Sequence, residues 1–263
     1  MWVGDFMKFI NELYNYREFL KTSVHKEFRG KYKKSFLGIL WSFLNPLCQL
    51  LIYSLVFPFI MGNSIENYTV FLIVALMPWT FFNSTIVQSA ACVVSNAGIV
   101  KKVYFPREIL PISVATSGLV NFSISCIIIL IFCLLGKVGI SWHLVFLPVI
   151  AILQYILELG LTLGLCAINI YIKDTEYIVQ FFVNMLFYGT PILYSATMFP
   201  EKFRWILYLN PMAQIINAYR DIFLYHQIPD LYGVLYLVAI SIAIFFIGLA
   251  IFRKLEKGFA EEI

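Results

Sequence analysis

The sequence predicts an all-α integral membrane fold: six transmembrane helices behind an amphipathic N-terminal cytosolic helix, with two short re-entrant outer helices before the last span. Three observations carry this prediction. The chain of 263 residues is 61% hydrophobic and only 13% charged, too apolar for a soluble domain of ordinary surface-to-volume ratio. Its apolar residues fall in charge-free runs at 36–65, 67–100, 109–136, 177–200 and 231–252, each beyond the roughly 20 residues that cross ~30 Å of hydrocarbon. A further run, about 144–172, is interrupted only by Glu158. Lys and Arg are unevenly shared: fifteen lie in residues 1–35, in the loops after spans two and four and in the C-terminal tail, against four (Lys137, Lys202, Arg204, Arg220) on the other side. The positive-inside bias therefore sets both termini in the cytosol. The net charge of +4 is a topology signal and gives no reason to invoke nucleic acid.

The expected organisation is residues 1–34 as interface helix and basic membrane boundary, and 35–263 as the transmembrane domain. Spans are expected at about 36–61, 68–94, 109–135, 144–172, 178–196 and 231–252. The first thirty-four residues carry charge throughout and lack the apolar centre of a cleavable signal. Within 5–29, Phe9, Leu13, Tyr16, Leu20, Val24 and Phe28 recur every three or four residues, one apolar stripe on a helix. Such a helix lies on the inner membrane surface, its basic side chains facing anionic headgroups. Gly30 ends it. The loop 95–108 is short and closes on Pro106, which leaves room for a turn or two of helix. Beyond span five, Pro200, Pro211 and Pro229 cut an aromatic segment into pieces of about 201–209 and 212–225, with Asn210-Pro211 as the turn between them. Sparse charge among aromatics suits helices that dip into the outer interface.

Polar side chains inside spans are costly in lipid and so carry information. In span one Trp41, Asn45, Gln49 and Tyr53 lie four apart on one side of the helix; in span five Gln180, Asn184 and Tyr188 do the same, continued by Pro191 and Ser195. Amides would bond hydroxyls and aromatic faces would stack on sugar rings, so the stripes suit a conduit for a hydroxyl-rich substrate. Interhelical hydrogen bonding accounts for them equally well. Glu158 sits at the middle of span four and must face protein or water; a buried structural partner suits a lone acid better than a proton relay. Gly160 and Gly164 make a GxxxG packing face beside it.

No GxxxxGK[ST], GxSxG or HExxH occurs, so no phosphate loop, nucleophile elbow or zinc-protease site is expected. The five cysteines are odd in number, without CxxC, and read as small core residues rather than a disulfide framework or metal site.

Six segments in order, YKKSFLGILWSFLNP (32–46), KVYFPREILP (102–111), YIKD (171–174), TPILY (190–194), FRWILYLNP (203–211) and FRKLEKGFA (252–260), resemble the permease subunit of ATP-binding cassette exporters of lipid-linked polysaccharide, the O-antigen and teichoic-acid export family. Lys173 stands where that family usually has Arg before Asp, which keeps the charge but not the fork geometry. The resemblance implies a multi-pass protein of the bacterial plasma membrane, itself not an enzyme. It implies a homodimer working with two cytosolic ATPase subunits, with ATP and Mg held on the partner and no cofactor on this chain. It assigns ATPase coupling to the 5–29 helix and the 95–108 loop, through Val24, Lys26, Phe28, Arg29, Lys101, Lys102, Phe105 and Arg107. An outer gate falls to the 199–225 helices, with Phe203, Trp205, Tyr208 and Tyr219. The stripes of spans one and five become the conduit, and Lys21, Lys31, Lys33 and Lys34 meet the substrate's pyrophosphate-lipid head. The alternatives are an exporter of small hydrophobic molecules or drugs on the same architecture, and a membrane-embedded cell-wall enzyme.

Overall fold

A computed structural model describes residues 11–12, 14–30, 36–61 and 65–262, and every regular element among them is helical. The main helices are α1 (Arg17–Gly30), α2 (Trp41–Met61), α3 (Tyr68–Ala91), α4 (Ile109–Leu135), α5 (Leu147–Tyr171), α6 (Thr175–Tyr188), α7 (Arg204–Leu209), α8 (Pro211–Arg220) and α9 (Leu231–Leu255). Phe9, Leu13, Lys31, Lys33 and Lys34 lie outside the described residues, as does the side chain of Arg29.

Among the described residues five helices are long and apolar enough to cross a membrane: α2, α3, α4, α9, and α5 with the helical turn Trp142–Phe146 that leads into it. The sixth expected span, 178–196, is not one continuous helix. α6 has 14 residues, about 21 Å at 1.5 Å per residue, and then the chain turns. Gly189 still bonds back to the Met185 carbonyl, but Ile192 N–H reaches only to Thr190 O, at 2.7 Å. Pro191 has no N–H to extend the ladder. The carbonyls freed by this break are collected by distant side chains. Tyr68 Oη donates to Leu193 O at 2.8 Å, Arg220 Nη2 to Ile192 O at 3.0 Å, and Asn210 Nδ2 to Gly189 O at 3.4 Å. Irregular backbone in an apolar surround persists where protein satisfies it in this way.

The aromatic segment after the break folds as the proline spacing indicates. A turn at Glu201–Phe203 leads into α7, Asn210 interrupts, and α8 runs on into a wider turn at Asp221–Tyr225. Asn210 caps α8: its Oδ1 accepts from Met212 N at 3.0 Å and Ala213 N at 3.4 Å, while its Nδ2 bonds Thr190 Oγ1 at 2.9 Å. Pro211 takes the first helical position, where its missing N–H costs nothing.

α5 and α9 pack backbone to backbone through the small-residue face. A Cβ on Gly248 would stand 1.9 Å from Gly160 O, and one on Gly160 would stand 2.5 Å from Phe245 N. α3 is the buried centre of the bundle, with Val70–Met77 wholly inside. A second core cluster of Val93, Val100, Phe105, Leu110, Ile170, Phe252 and Phe259 gathers at one end, with Tyr16, Phe19 and Leu20 of the N-terminal segment against it. Tyr171 Oη bonds Leu255 O at 2.8 Å at this same end. The basic loops and tail that the charge count groups together are therefore neighbours in space.

Candidate functional site

A groove of about 670 Å3 opens along α2, α3, α4 and α6. Six of the seven residues of the two sequence stripes line it: Trp41, Asn45, Gln49 and Tyr53 from α2, Asn184 and Tyr188 from α6. Gln180, one turn earlier on α6, is exposed and lies outside the groove. Its wall includes Phe43, Phe81 and Phe122. An aromatic rail borders one side. The rings of Tyr53 and Phe187 are 6.4 Å apart, those of Trp79 and Phe187 5.6 Å, and those of Phe187 and Tyr188 5.3 Å.

The back of the groove is polar and comes from helices whose stripes the sequence reading passed over. Thr80, Asn83 and Ser84 of α3 recur at i, i+3 and i+4, and Asn121 and Ser125 of α4 at i and i+4, the spacing that shares a helix face. The same spacing test would have found them. Thr80 Oγ1 and Ser84 Oγ donate to their own helix at Leu76 O and Phe81 O, at 2.8 and 3.2 Å, which leaves their lone pairs for a donor. Asn121 Oδ1 is buried with no hydrogen-bond partner among the described residues. The wall thus offers acceptors and aromatic faces together, which fits a ligand rich in hydroxyls with apolar ring faces.

Behind this wall lies Glu158, fully buried on α5. Gln154 Nε2 donates to Glu158 Oε1 at 2.9 Å and to Pro78 O on α3 at 2.9 Å, and Gln154 Oε1 accepts from Tyr219 Oη at 3.1 Å. Glu158 therefore faces protein. Tyr219, assigned to the outer gate, has no exposed surface, and its ring lies tilted against that of Phe122 of the groove wall at 5.4 Å. The reason is the apolar stripe Met212, Ile215, Ile216, Tyr219, Ile222, which α8 turns to the core. Phe203, Trp205 and Tyr208 remain exposed at the end of the bundle far from α1.

At the α1 end the residues assigned to coupling separate into outward and inward groups. Lys101 and Lys102 are exposed, as are Val103 and, at 89%, Tyr104, which the sequence reading did not single out. Phe105 is buried, its ring 4.8 Å from that of Phe19. Arg107 Nη1 donates to Glu256 O at 2.6 Å and its guanidinium lies over the Phe259 ring. Burial pushes the neighbouring Glu108 carboxyl above its ordinary range, with the Arg253 charge opposing. Val24 and Phe28 are half-buried, and Lys21 is exposed beside Glu18 at 2.9 Å. Lys26 bonds Asn96 within the chain. Phe105 and Arg107 thus hold the end of the bundle together, and Lys26, although exposed, is tied to Asn96.

Among the described residues no group of His, Cys, Asp and Glu is arranged to hold a metal ion, and the five cysteines are unpaired thiols.

Comparison with known proteins gives the class. The family model described as ABC-2 type transporter matches residues 18–224. The chain is 35% identical to the O-antigen export system permease protein RfbA of Myxococcus xanthus, over 98% of this chain and 100% of the relative. It is 37% identical to the protein of the same name from Klebsiella pneumoniae, over 93% and 94%. The polysialic acid transport protein KpsM of Escherichia coli is 24% identical over 89% and 92%. A family match across most of the chain, on a bundle of apolar helices around a polar groove, means that this protein belongs to the ABC-2 type transporter family, as a membrane permease and not an enzyme.

Proposed function

We propose that the chain is the membrane half of an ATP-driven exporter of lipid-linked polysaccharide, of O-antigen or teichoic-acid type, in the bacterial inner membrane. Family membership implies an ABC ATPase as partner. Two copies of this chain, with two ATPase subunits, make the working complex, and both termini are cytosolic. The observation that carries the reading is the groove: amides and hydroxyls together with an aromatic rail, open on the side formed by the sparsely buried α2 and α6. In lipid an exposed Asn45, Gln49 and Asn184 cost several kcal/mol in all, which a second copy closing the groove into a conduit offsets. The sixth crossing is made by α6 and the turn after it. Tyr171, before α6, is tied to the C-terminal end of α9, and Leu193, after it, to the start of α3. α7 and α8 are then re-entrant, with Phe203, Trp205 and Tyr208 at the exit, and Lys21 with Lys31, Lys33 and Lys34 meets the substrate's phosphates.

An exporter of small hydrophobic molecules on this architecture is the second reading, and the polar back wall of the groove disfavours it. The deciding experiment reconstitutes the permease with its ATPase in liposomes and follows ATP-dependent transfer of a lipid-linked glycan. Transfer of the glycan supports the reading. Transport confined to apolar compounds would overturn it.

A further inference from the structure

The two elements that the family resemblance assigns to ATPase coupling, the N-terminal helix and the 95–108 loop, are fastened to each other inside the chain. Lys26 of α1 donates from Nζ to Asn96 Oδ1 at 2.5 Å. The next residue, Glu27, accepts at Oε2 from Gln88 Nε2 at 2.7 Å. Gln88 lies in the last turn of α3, and Asn96 ends the helical turn Val94–Asn96 that follows it. Asn96 is buried, and its Nδ2 donates to Cys92 O at 2.7 Å. That bond fixes the carboxamide and leaves its oxygen for the lysine. The Phe19 ring on Phe105 adds an attachment at the far end of the loop.

These ties are specific because the chemistry runs against the default for such a helix. A lysine on an amphipathic surface helix ordinarily extends its ammonium to water or headgroups. Here it is spent on a neutral amide of its own chain, and no carboxylate pairs with it among the described residues. Contacts two turns apart along α1, at Phe19 and at Lys26–Glu27, meet both ends of the 94–105 stretch. A helix held at two such points cannot pivot independently of the loop. The loop continues into α3 on one side and α4 on the other, and both helices line the groove.

We propose that the Lys26–Asn96 and Glu27–Gln88 bonds lock α1 and the 94–105 loop into one lever, which delivers the ATPase's movement to α3 and α4 together. Lys26 and Gln88 are positioning residues for transport. The proposal rests on the reading of the chain as half of an ATP-driven exporter.

The test measures glycan exported per ATP hydrolysed by the reconstituted permease–ATPase complex. Lys26→Met with Gln88→Leu is expected to lower this ratio on the order of tenfold, while Lys26→Arg, which keeps the donor, stays near the native ratio. In a Cys48→Ser background, Lys26→Cys with Asn96→Cys loses coupling, and a short bifunctional thiol reagent that rejoins the two positions restores it. An unchanged ratio in the Met/Leu variant overturns the lever, as does a rejoined pair that stays as poorly coupled as the open one. If the Met/Leu variant fails to assemble, the rejoined pair decides alone. A native complex that moves no glycan overturns the function reading instead, a result separate from any effect of the variants.

Discussion

At Asn210 one side chain serves two elements, and its loss has a calculable scale. Its oxygen caps α8 and its nitrogen bonds Thr190 beyond the α6 break. Asn210→Ala is expected to cost about 1–2 kcal/mol as a lost cap, and more because Thr190 is left buried; a lowered melting temperature in detergent checks it. The glycines of the α5–α9 contact give a sharper contrast. Gly248→Ala drives a methyl into Gly160 O and is expected to destabilise by about 1–3 kcal/mol. A Cβ on Gly164 would sit an ordinary 3.6 Å from Gly248 Cα, so Gly164→Ala leaves the melting temperature close to native. Equal effects of the two would mean the helices are not in this register. The GxxxG on α5 was readable in sequence, but its partner Gly248 was not. A lone glycine in an apolar run has no pattern, and only the packed backbone distinguishes it.

At the scale of elements, α6 separates path from packing. Asn184 lines the groove and Gln180 does not, although both belong to one four-residue repeat. Asn184→Leu and Asn45→Leu are expected to reduce export several-fold with little change in melting temperature, and Gln180→Leu to leave export near native. Export that falls only in step with stability across all three would make these amides interhelical links of ~0.6 kcal/mol each. The same helix marks where the sequence reading fails. Apolar runs, charge-free for α2, α3, α4 and α9 and interrupted by Glu158 for α5, coincide with the five long helices, because length and apolar content are compositional properties. Helix continuity is not. The break after Tyr188 is fixed by Gly189 and Pro191, and it is stabilised by Tyr68, Asn210 and Arg220, which stand far away in sequence. For Tyr219 the signal runs the other way: its burial is readable from the apolar stripe of α8 at helical spacing, while the aromatic content of the segment points outward.

For the whole molecule, nucleotide chemistry and transport are expected on separate chains. The purified permease alone hydrolyses no ATP, and turnover appears when the ATPase is added; turnover by the isolated chain would overturn this division. Contact between the two is expected at the outward residues of the loop. Val103→Cys and Tyr104→Cys should crosslink to the ATPase, whereas Phe105→Cys, buried against Phe19, should not. Trapping at Phe105 but not Tyr104 would invert the surface described here. The open side of the groove has one more consequence under the proposed pairing of two copies, for a protomer on its own. An unassembled chain in a bilayer exposes Asn45, Gln49 and Asn184 beside the rings of Phe187 and Tyr188, a trough with a polar floor and an aromatic lip. A phospholipid matches that trough, its glycerol esters and head on the amides and its acyl chains along the rings. Monomers extracted in mild detergent should therefore carry retained lipid visible by native mass spectrometry, and the proposed pairing of two copies should release it.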